Sequence, residues 1–262
     1  MIEAVLAQAS IFKKIVEALK ELISETNIDF SEAGISLQAM DSSHIALCNL
    51  LLRDDGFKSY RCDRALTLGV NLNSLSKLLK CAGNDDEMRI FANDDSGADQ
   101  LNFSFESANS ERVSEFSLKL MDIDADSVDI PDMDYQAIID MSSSEFSRII
   151  RDLSSVGEAV SIDATKQGVK FSSAGDAGKG SILLKHQKSV DGDSALATSI
   201  EINEPVSHSL ALKFLSSFAK AAPLTDRVSI HMTEDVPVMF EFKISEIGHI
   251  RFYLAPQIDD EE

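Results

Sequence analysis

Four stretches of this chain repeat apolar residues every three or four positions, and most of the remainder alternates apolar with polar. In Ser10–Ser24 the stripe is Ile11, Phe12, Ile15, Val16, Leu19, Leu22 and Ile23. In Leu72–Ala82 it is Leu72, Leu75, Leu78, Leu79 and Ala82. In Ser143–Val156 it is Phe146, Ile149, Ile150 and Leu153, with serines ahead of it suited to capping. In Ser209–Ala222 it is Leu212, Leu215, Phe218, Ala219 and Ala222, closed by Pro223. This period predicts four amphipathic helices. Period-two alternation bounded by Gly, Asn and Asp predicts short antiparallel strands. Examples are Gly34–Met40, Ile45–Arg53, Met88–Ala92, Leu101–Phe105 and Ser114–Leu120, then Ala159–Ala164, Gly168–Ser172, Ser181–Lys185, Thr198–Ile202, Arg227–Met232, Pro237–Ile244 and His249–Leu254.

The pattern occurs twice. Phe12, Ile15, Val16, Leu19, Gly34, Ile35 and Leu37 align with Phe146, Ile149, Ile150, Leu153, Gly168, Val169 and Phe171, an offset of 134. Leu72, Leu75, Leu78 and Lys80 align with Leu212, Leu215, Phe218 and Lys220, an offset of 140, as unequal surface loops would produce. Each half reads as strand, helix, a run of strands, helix and a second run of strands. The expected fold class is α+β: two similar domains of antiparallel sheets, each packed on two helices. The expected division is a domain over 1–120, a connector over 121–135, and a domain over 136–262. The connector, Met121–Tyr135, is acidic, contains Pro131 and carries isolated hydrophobes at Ile123, Val128 and Ile130, so it reads as extended. The acidic end, Asp259–Glu262, reads as mobile.

Composition narrows the class. A chain of 262 residues has room for two domains with cores of their own. No apolar run approaches the roughly 20 residues of a membrane span, and the N-terminus lacks a basic region followed by an apolar stretch. Cys48, Cys62 and Cys81 form no C-x-x-C and read as buried or half-buried free thiols in a reducing compartment. These features predict an intracellular protein with no membrane partner.

A net charge of −20 argues against nucleic acid unless the cations are segregated. They fall on the predicted helices. Lys13, Lys14 and Lys20 lie on the first, Lys77 and Lys80 on the second, Arg148 and Arg151 on the third, and Lys213 and Lys220 on the fourth. Spacings of three and seven place these pairs on one helix side, opposite the apolar stripe. Lys and Arg solubilise any exposed helix face. Their recurrence on four helices of an acidic chain points instead to a shared basic surface. Glu17, Glu21, Glu145 and Asp152 make the segregation incomplete. There is no recognition-helix signature, zinc-finger spacing or aromatic cluster, and Trp is absent. Contact would therefore be with duplex phosphates, independent of sequence and sensitive to salt.

The segments LQAMDSSHIAL (Leu37–Leu47), GFKSYRCDR (Gly56–Arg64), GVNLNSLSKLLKCAGNDD (Gly69–Asp86), EFSRIIRDLSSVGEAV (Glu145–Val160) and YLAPQIDDEE (Tyr253–Glu262) closely resemble the proliferating cell nuclear antigen family of eukaryotic DNA sliding clamps. The similarity runs from Met1 to Glu262. The resemblance implies the DNA-clamp fold and a homotrimer closed into a ring, with helices lining a hole around duplex DNA. It implies a processivity factor for DNA polymerase in the nucleus, without enzymatic activity, metal or cofactor. It gives the inner surface to Lys13, Lys14, Lys20, Lys77, Lys80, Arg148, Arg151, Lys213 and Lys220. Partners implied are the clamp loader, flap endonuclease, DNA ligase and other replication and repair proteins carrying Q-x-x-[ILM]-x-x-aromatic-aromatic. Their pocket would use Met40, His44, Ile45, Leu47, Val128, Ile130, Pro131, Pro237, Tyr253, Ala255 and Pro256. Val128 stands where the family often has Leu, and one methylene less loosens a pocket by about 1 kcal/mol. The ring-closing edges would be Glu111–Lys119 and Gly178–Lys185, and Lys166 matches a lysine that the family modifies with ubiquitin.

Enzyme motifs are incomplete. Ser10–Lys13 and Ser74–Lys77 satisfy S-x-x-K without its companion motifs. Gly178-Lys179 lacks both the Ser/Thr and the upstream glycine of a phosphate loop. The five histidines, His44, His186, His208, His231 and His249, show no metal-ligand spacing. Rival readings are a subunit of a heterotrimeric checkpoint clamp, an archaeal clamp, and an acidic scaffold that does not encircle DNA.

Overall fold

The computed structural model describes residues 1–92, 99–124, 128–131, 133–176, 178–186 and 197–257. The acidic segments at Asp94–Asp95 and Asp259–Glu262 lie outside the described residues. In the first half the order is β1 (Ile2–Leu6), α1 (Ala9–Lys20), β2 (Glu25–Ser31), β3 (Gly34–Met40), β4 (Ala46–Arg53), β5 (Ser59–Cys62), β6 (Leu66–Asn71), α2 (Leu72–Leu79), β7 (Glu87–Ala92), β8 (Gln100–Glu106) and β9 (Val113–Lys119). The second half follows the same order: β10 (Ala137–Ser142), α3 (Ser143–Ser154), β11 (Ala159–Thr165), β12 (Gly168–Gly175), β13 (Gly178–Leu184), β14 (Ser199–Ile202), β15 (Val206–Ala211), α4 (Leu212–Phe218), β16 (Arg227–Met232), β17 (Val238–Ile244) and β18 (Gly248–Leu254).

The chain divides into two compact units. Unit 1 comprises Met1–Ser42, Cys48–Val128 and Ile244–Ile250; unit 2 comprises Ser43–Leu47, Asp129–Lys243 and Arg251–Glu262. In unit 1 one sheet runs β5-β1-β7-β8-β9, and β4-β3-β2-β6 are neighbours in a second. In unit 2 the corresponding orders are β14-β10-β16-β17-β18 and β13-β12-β11-β15. The apolar stripes are buried as their period requires. Phe12, Ile15, Val16 and Leu19 of α1 and Leu72, Leu75 and Leu79 of α2 form part of the core of unit 1. In unit 2, Phe146 and Phe218 from the helices meet Phe240 and Phe252 from the strands, with Phe218 stacked on Phe252 at 4.5 Å. Each such side chain contributes roughly 1.5–3 kcal/mol by leaving water.

The repeat is visible at the level of single hydrogen bonds. The amide of Ala9, opening α1, donates to Asp86 O (2.8 Å), and that of Ser143, opening α3, donates to Asp226 O (2.9 Å). Leu72 N donates to Ser24 O (2.8 Å) and Leu212 N to Glu158 O (2.9 Å). These contacts satisfy amides that a helix start leaves without intrahelical partners. Gly34 and Gly168 share φ values of +130° and +137°. A Cβ there would lie 2.0 Å from Leu52 O or 2.2 Å from Leu184 O, so only glycine fits either turn.

Local expectations change at element ends, α1 closing at Lys20 rather than Ser24 and α4 at Phe218 rather than Ala222. Ser209–Ala211 belong to β15 rather than to a helix, because they pair with Ala159–Ser161 while Leu210 is buried. The second helix ends at Leu79, since Cys81 N and Ala82 N turn back three residues to Leu78 O and Leu79 O. The serines ahead of α3 do not cap it: Ser142 and Ser144 hydroxyls bond each other at 2.8 Å, and the Ser143 hydroxyl donates to Ala222 O at 3.2 Å. The capped helix is α2, where Asn71 Oδ1 accepts from Ser74 N at 2.9 Å.

Candidate nucleic-acid interface and docking pocket

In unit 1, α1 and α2 pack through their apolar stripes, and their cations divide into two groups. Lys13 is half-buried, donating through Nζ to Ala82 O (2.7 Å) and Asn84 Oδ1 (3.1 Å). Lys20 lies 2.6 Å from Glu17 Oε2 and donates to Ser76 Oγ at 3.4 Å. Ser76 in turn donates to Glu17 Oε1 at 2.6 Å, so Glu17, Lys20 and Ser76 tie α1 to α2. Burial pushes the Glu17 carboxyl up. The hydrogen bonds from Lys20 and Ser76 and the charges of Lys20 and Lys80 outweigh it, holding the group below its ordinary value. Lys14, Lys77 and Lys80 are exposed.

In unit 2 all four cations, Arg148, Arg151, Lys213 and Lys220, are exposed. Arg148 lies between Glu145 (4.0 Å) and Asp152 (3.7 Å), and Arg151 also reaches Asp152 at 3.3 Å. Lys213 rests over the Phe214 ring at 4.6 Å from its centre. Under the repeat offsets, Lys14 corresponds to Arg148 and Lys80 to Lys220; the other cations have no cationic counterpart in the other half.

Of the docking candidates, Met40 and Val128 belong to unit 1, and His44, Ile45, Leu47, Ile130, Pro131, Pro237, Tyr253, Ala255 and Pro256 to unit 2. In unit 1, Gln38 holds the connector backbone twice: Nε2 donates to Val128 O (2.8 Å), and Val128 N donates to Oε1 (2.7 Å). Met121 N donates to Gly69 O (3.0 Å) and Asn27 Nδ2 to Ile123 O (3.0 Å). In unit 2, buried Leu47, Met239 and Tyr253 form a cluster against which Ile130 and Tyr135 pack. His44 takes φ +58°, in the left-handed region, and the adjacent Ile45 O accepts from Ala255 N at 3.1 Å. Pro131 and Pro237 are exposed, and Ala255 and Pro256 half-buried.

Family comparison joins these observations. Residues 1–129 match the family model described as proliferating cell nuclear antigen, N-terminal domain, and residues 129–257 match the model of its C-terminal domain. The chain belongs to this family. Members of the proliferating cell nuclear antigen family are sliding clamps, DNA-binding scaffolds of replication without enzymatic activity of their own, and the two α+β domains are the clamp fold.

Two residues beside the docking candidates of unit 2 escape a sequence reading for this proliferating cell nuclear antigen relative. Met239 is one apolar residue among several in β17, and Tyr135 ends the connector without a pattern. Their partner is His231. The Tyr135 ring meets the imidazole edge-on at 4.8 Å, and its hydroxyl donates to Met239 Sδ at 3.8 Å. Both His231 ring nitrogens are buried without a hydrogen-bond partner among the described residues. Burial, with the charges of Arg251 and Lys243, lowers its pKa against the opposing pull of Glu241 and Asp140. Lys166 is exposed in the turn between β11 and β12. The strands β9 and β13 each end a sheet. Cys48 is buried, Cys62 half-buried, and Cys81 exposed rather than buried.

Proposed function

We propose that this chain assembles as a homotrimeric ring around duplex DNA and acts in the nucleus as processivity factor for a DNA polymerase. The observation that carries this is charge placement. In each unit, exposed cations stand on the helix faces opposite the core, in a chain whose net charge is −20. Such faces contact phosphates without reading bases, and the attraction is weakened by salt. A closed ring makes weak contact sufficient, because retention is then topological. In this reading Lys14, Lys77, Lys80, Arg148, Arg151, Lys213 and Lys220 meet the backbone, Lys20 meets it only on leaving Glu17, and Lys13 mainly braces α1.

Ring closure would pair β9 with β13 of the next subunit, since an open strand edge is a ready template. Support comes from the large apolar side chains left exposed among the described residues: Val113 lies on β9 and Leu183 on β13. The other three, Met40, Ile45 and Val128, are docking candidates. A peptide carrying Q-x-x-[ILM]-x-x-aromatic-aromatic would insert its apolar residues there, as replication and repair partners such as clamp loader, flap endonuclease and DNA ligase would present it. Lys166, exposed in its turn, would be the acceptor for ubiquitin.

The test is retention on circular against linear duplex after loading by a clamp loader with ATP. Protein that survives a high-salt wash on the circle but runs off the linear molecule is held topologically. Equal loss from both would reduce the basic helices to an electrostatic patch and overturn the ring.

A further inference from the structure

The cations assigned to DNA are not equally available, and the difference lies in carboxylates on the same helices. On α1, Glu17 holds Lys20 at 2.6 Å. On α3, Glu145 and Asp152 flank Arg148 at 4.0 and 3.7 Å, and Asp152 also holds Arg151 at 3.3 Å. Two carboxylates thus face two guanidinium groups on α3. Lys77 and Lys80 on α2, and Lys213 and Lys220 on α4, form no ion pair with a carboxylate among the described residues, although the charge of Lys80 is felt at Glu17. The pairing is therefore a property of the first helix in each unit. It is not a by-product of the repeated sequence, because the position equivalent to Glu17 is Arg151.

We propose that Glu17, Glu145 and Asp152 are resident competitors for the DNA backbone, holding Lys20, Arg148 and Arg151 until a phosphate displaces them. This rests on the DNA-encircling reading and deepens it. A phosphate meeting Lys77 or Lys220 displaces only water and salt ions. A phosphate meeting Lys20 or Arg151 must also separate an existing ion pair, leaving a carboxylate that recruits a cation from solution. Net counterion release falls, and so does the gain from contact. Ion pairs as exposed as those on α3 are individually weak, so the competition there is graded and lets phosphates exchange rapidly, while the half-buried Lys20 on α1 is held more firmly. For a sliding ring the consequence is lower friction: α2 and α4 carry standing contacts, and α1 and α3 carry contacts that let go.

The test uses the full chain with a double substitution, Glu17→Gln and Asp152→Asn; Gln can still accept the Ser76 hydrogen bond. Binding to a short linear duplex is followed by fluorescence anisotropy across a salt series, and sliding of loaded protein by single-molecule tracking. Each substitution should tighten binding about 1.5- to 5-fold at low salt. The log–log salt slope should steepen by up to about 0.9 for each cation released, and diffusion should slow. Glu21→Gln removes the same charge from the end of the same helix, where Glu21 pairs with no cation among the described residues, and should leave the slope unchanged. Unchanged affinity and slope in the double variant overturn the proposal, as does an equal effect from Glu21→Gln. A Lys77→Glu/Lys80→Glu variant keeps the two failures distinct. If it binds duplex like the parent, the DNA reading itself falls and the proposal with it. If it loses binding while the double variant matches the parent, only the competing carboxylates are refuted.

Discussion

His231 occupies an unusual place for a titratable residue. Its ring nitrogens are buried without partners among the described residues, and Tyr135 lies against it beside the Leu47–Met239–Tyr253 cluster. Folding therefore favours the neutral imidazole, since burying a charge without compensation is costly. The folded pKa is lowered by burial, so the unfolded chain binds the proton more readily. The contribution to stability is full above the ordinary histidine value of about 6.5 and is lost as pH falls through the lower folded value. Chemical denaturation at pH 7.5 and 5.5 checks this. The parent should lose more stability on acidification than His231→Leu, and equal losses would mean that the imidazole is solvated after all. Glu17, whose pKa is also lowered, shares the sign, its contribution being present above the ordinary carboxylate range.

At the scale of elements, the described residues of the connector show how an acidic segment is held outside the named helices and strands. Its backbone is pinned in unit 1 by Gly69, by Asn27 and twice by Gln38. Each hydrogen bond contributes about 0.5–1.5 kcal/mol, so the pair from Gln38 matters most. Gln38→Ala should speed hydrogen exchange of the Val128 amide by roughly tenfold or more, with the exchange of the core of β3 unaltered. No change at Val128 would shift the anchoring of the connector elsewhere. The helices show the other principle, burial deciding position. Leu72, Leu75 and Leu79 fix the face that α2 turns inward, and Lys77 and Lys80 are outward by geometry alone.

For the whole molecule, the proposed ring would depend on what the open edges of β9 and β13 meet. Exposed Val113 and Leu183 are hydrophobic surface at strand edges, which proteins ordinarily blunt with charge. Leu183→Lys supplies such a charge. Light scattering after size exclusion should show the parent as a trimer and the variant as a monomer, with the fold of each unit preserved by circular dichroism. A variant that stays trimeric would place the interface away from β13.

Much of this was legible in the chain itself. Period in hydrophobicity determined four helices and most strands, because burial of one face is a local constraint written every second or every third to fourth residue. The doubled pattern determined two similar domains, and Gly34 and Gly168 mark the same turn in both. Segregated cations in an acidic chain, with the resemblance, pointed to DNA. Tertiary structure alone decided the rest. Residues 209–211 became strand because Ala159–Ser161 offer an edge 50 residues earlier. Lys13 and Lys20 turned inward because Ala82, Asn84 and Ser76 supply acceptors from a second element. Met239, Tyr135 and His231 met under no common motif. Spacing along a helix records which side a residue faces; which partner waits on that side is set by chain brought in from far away.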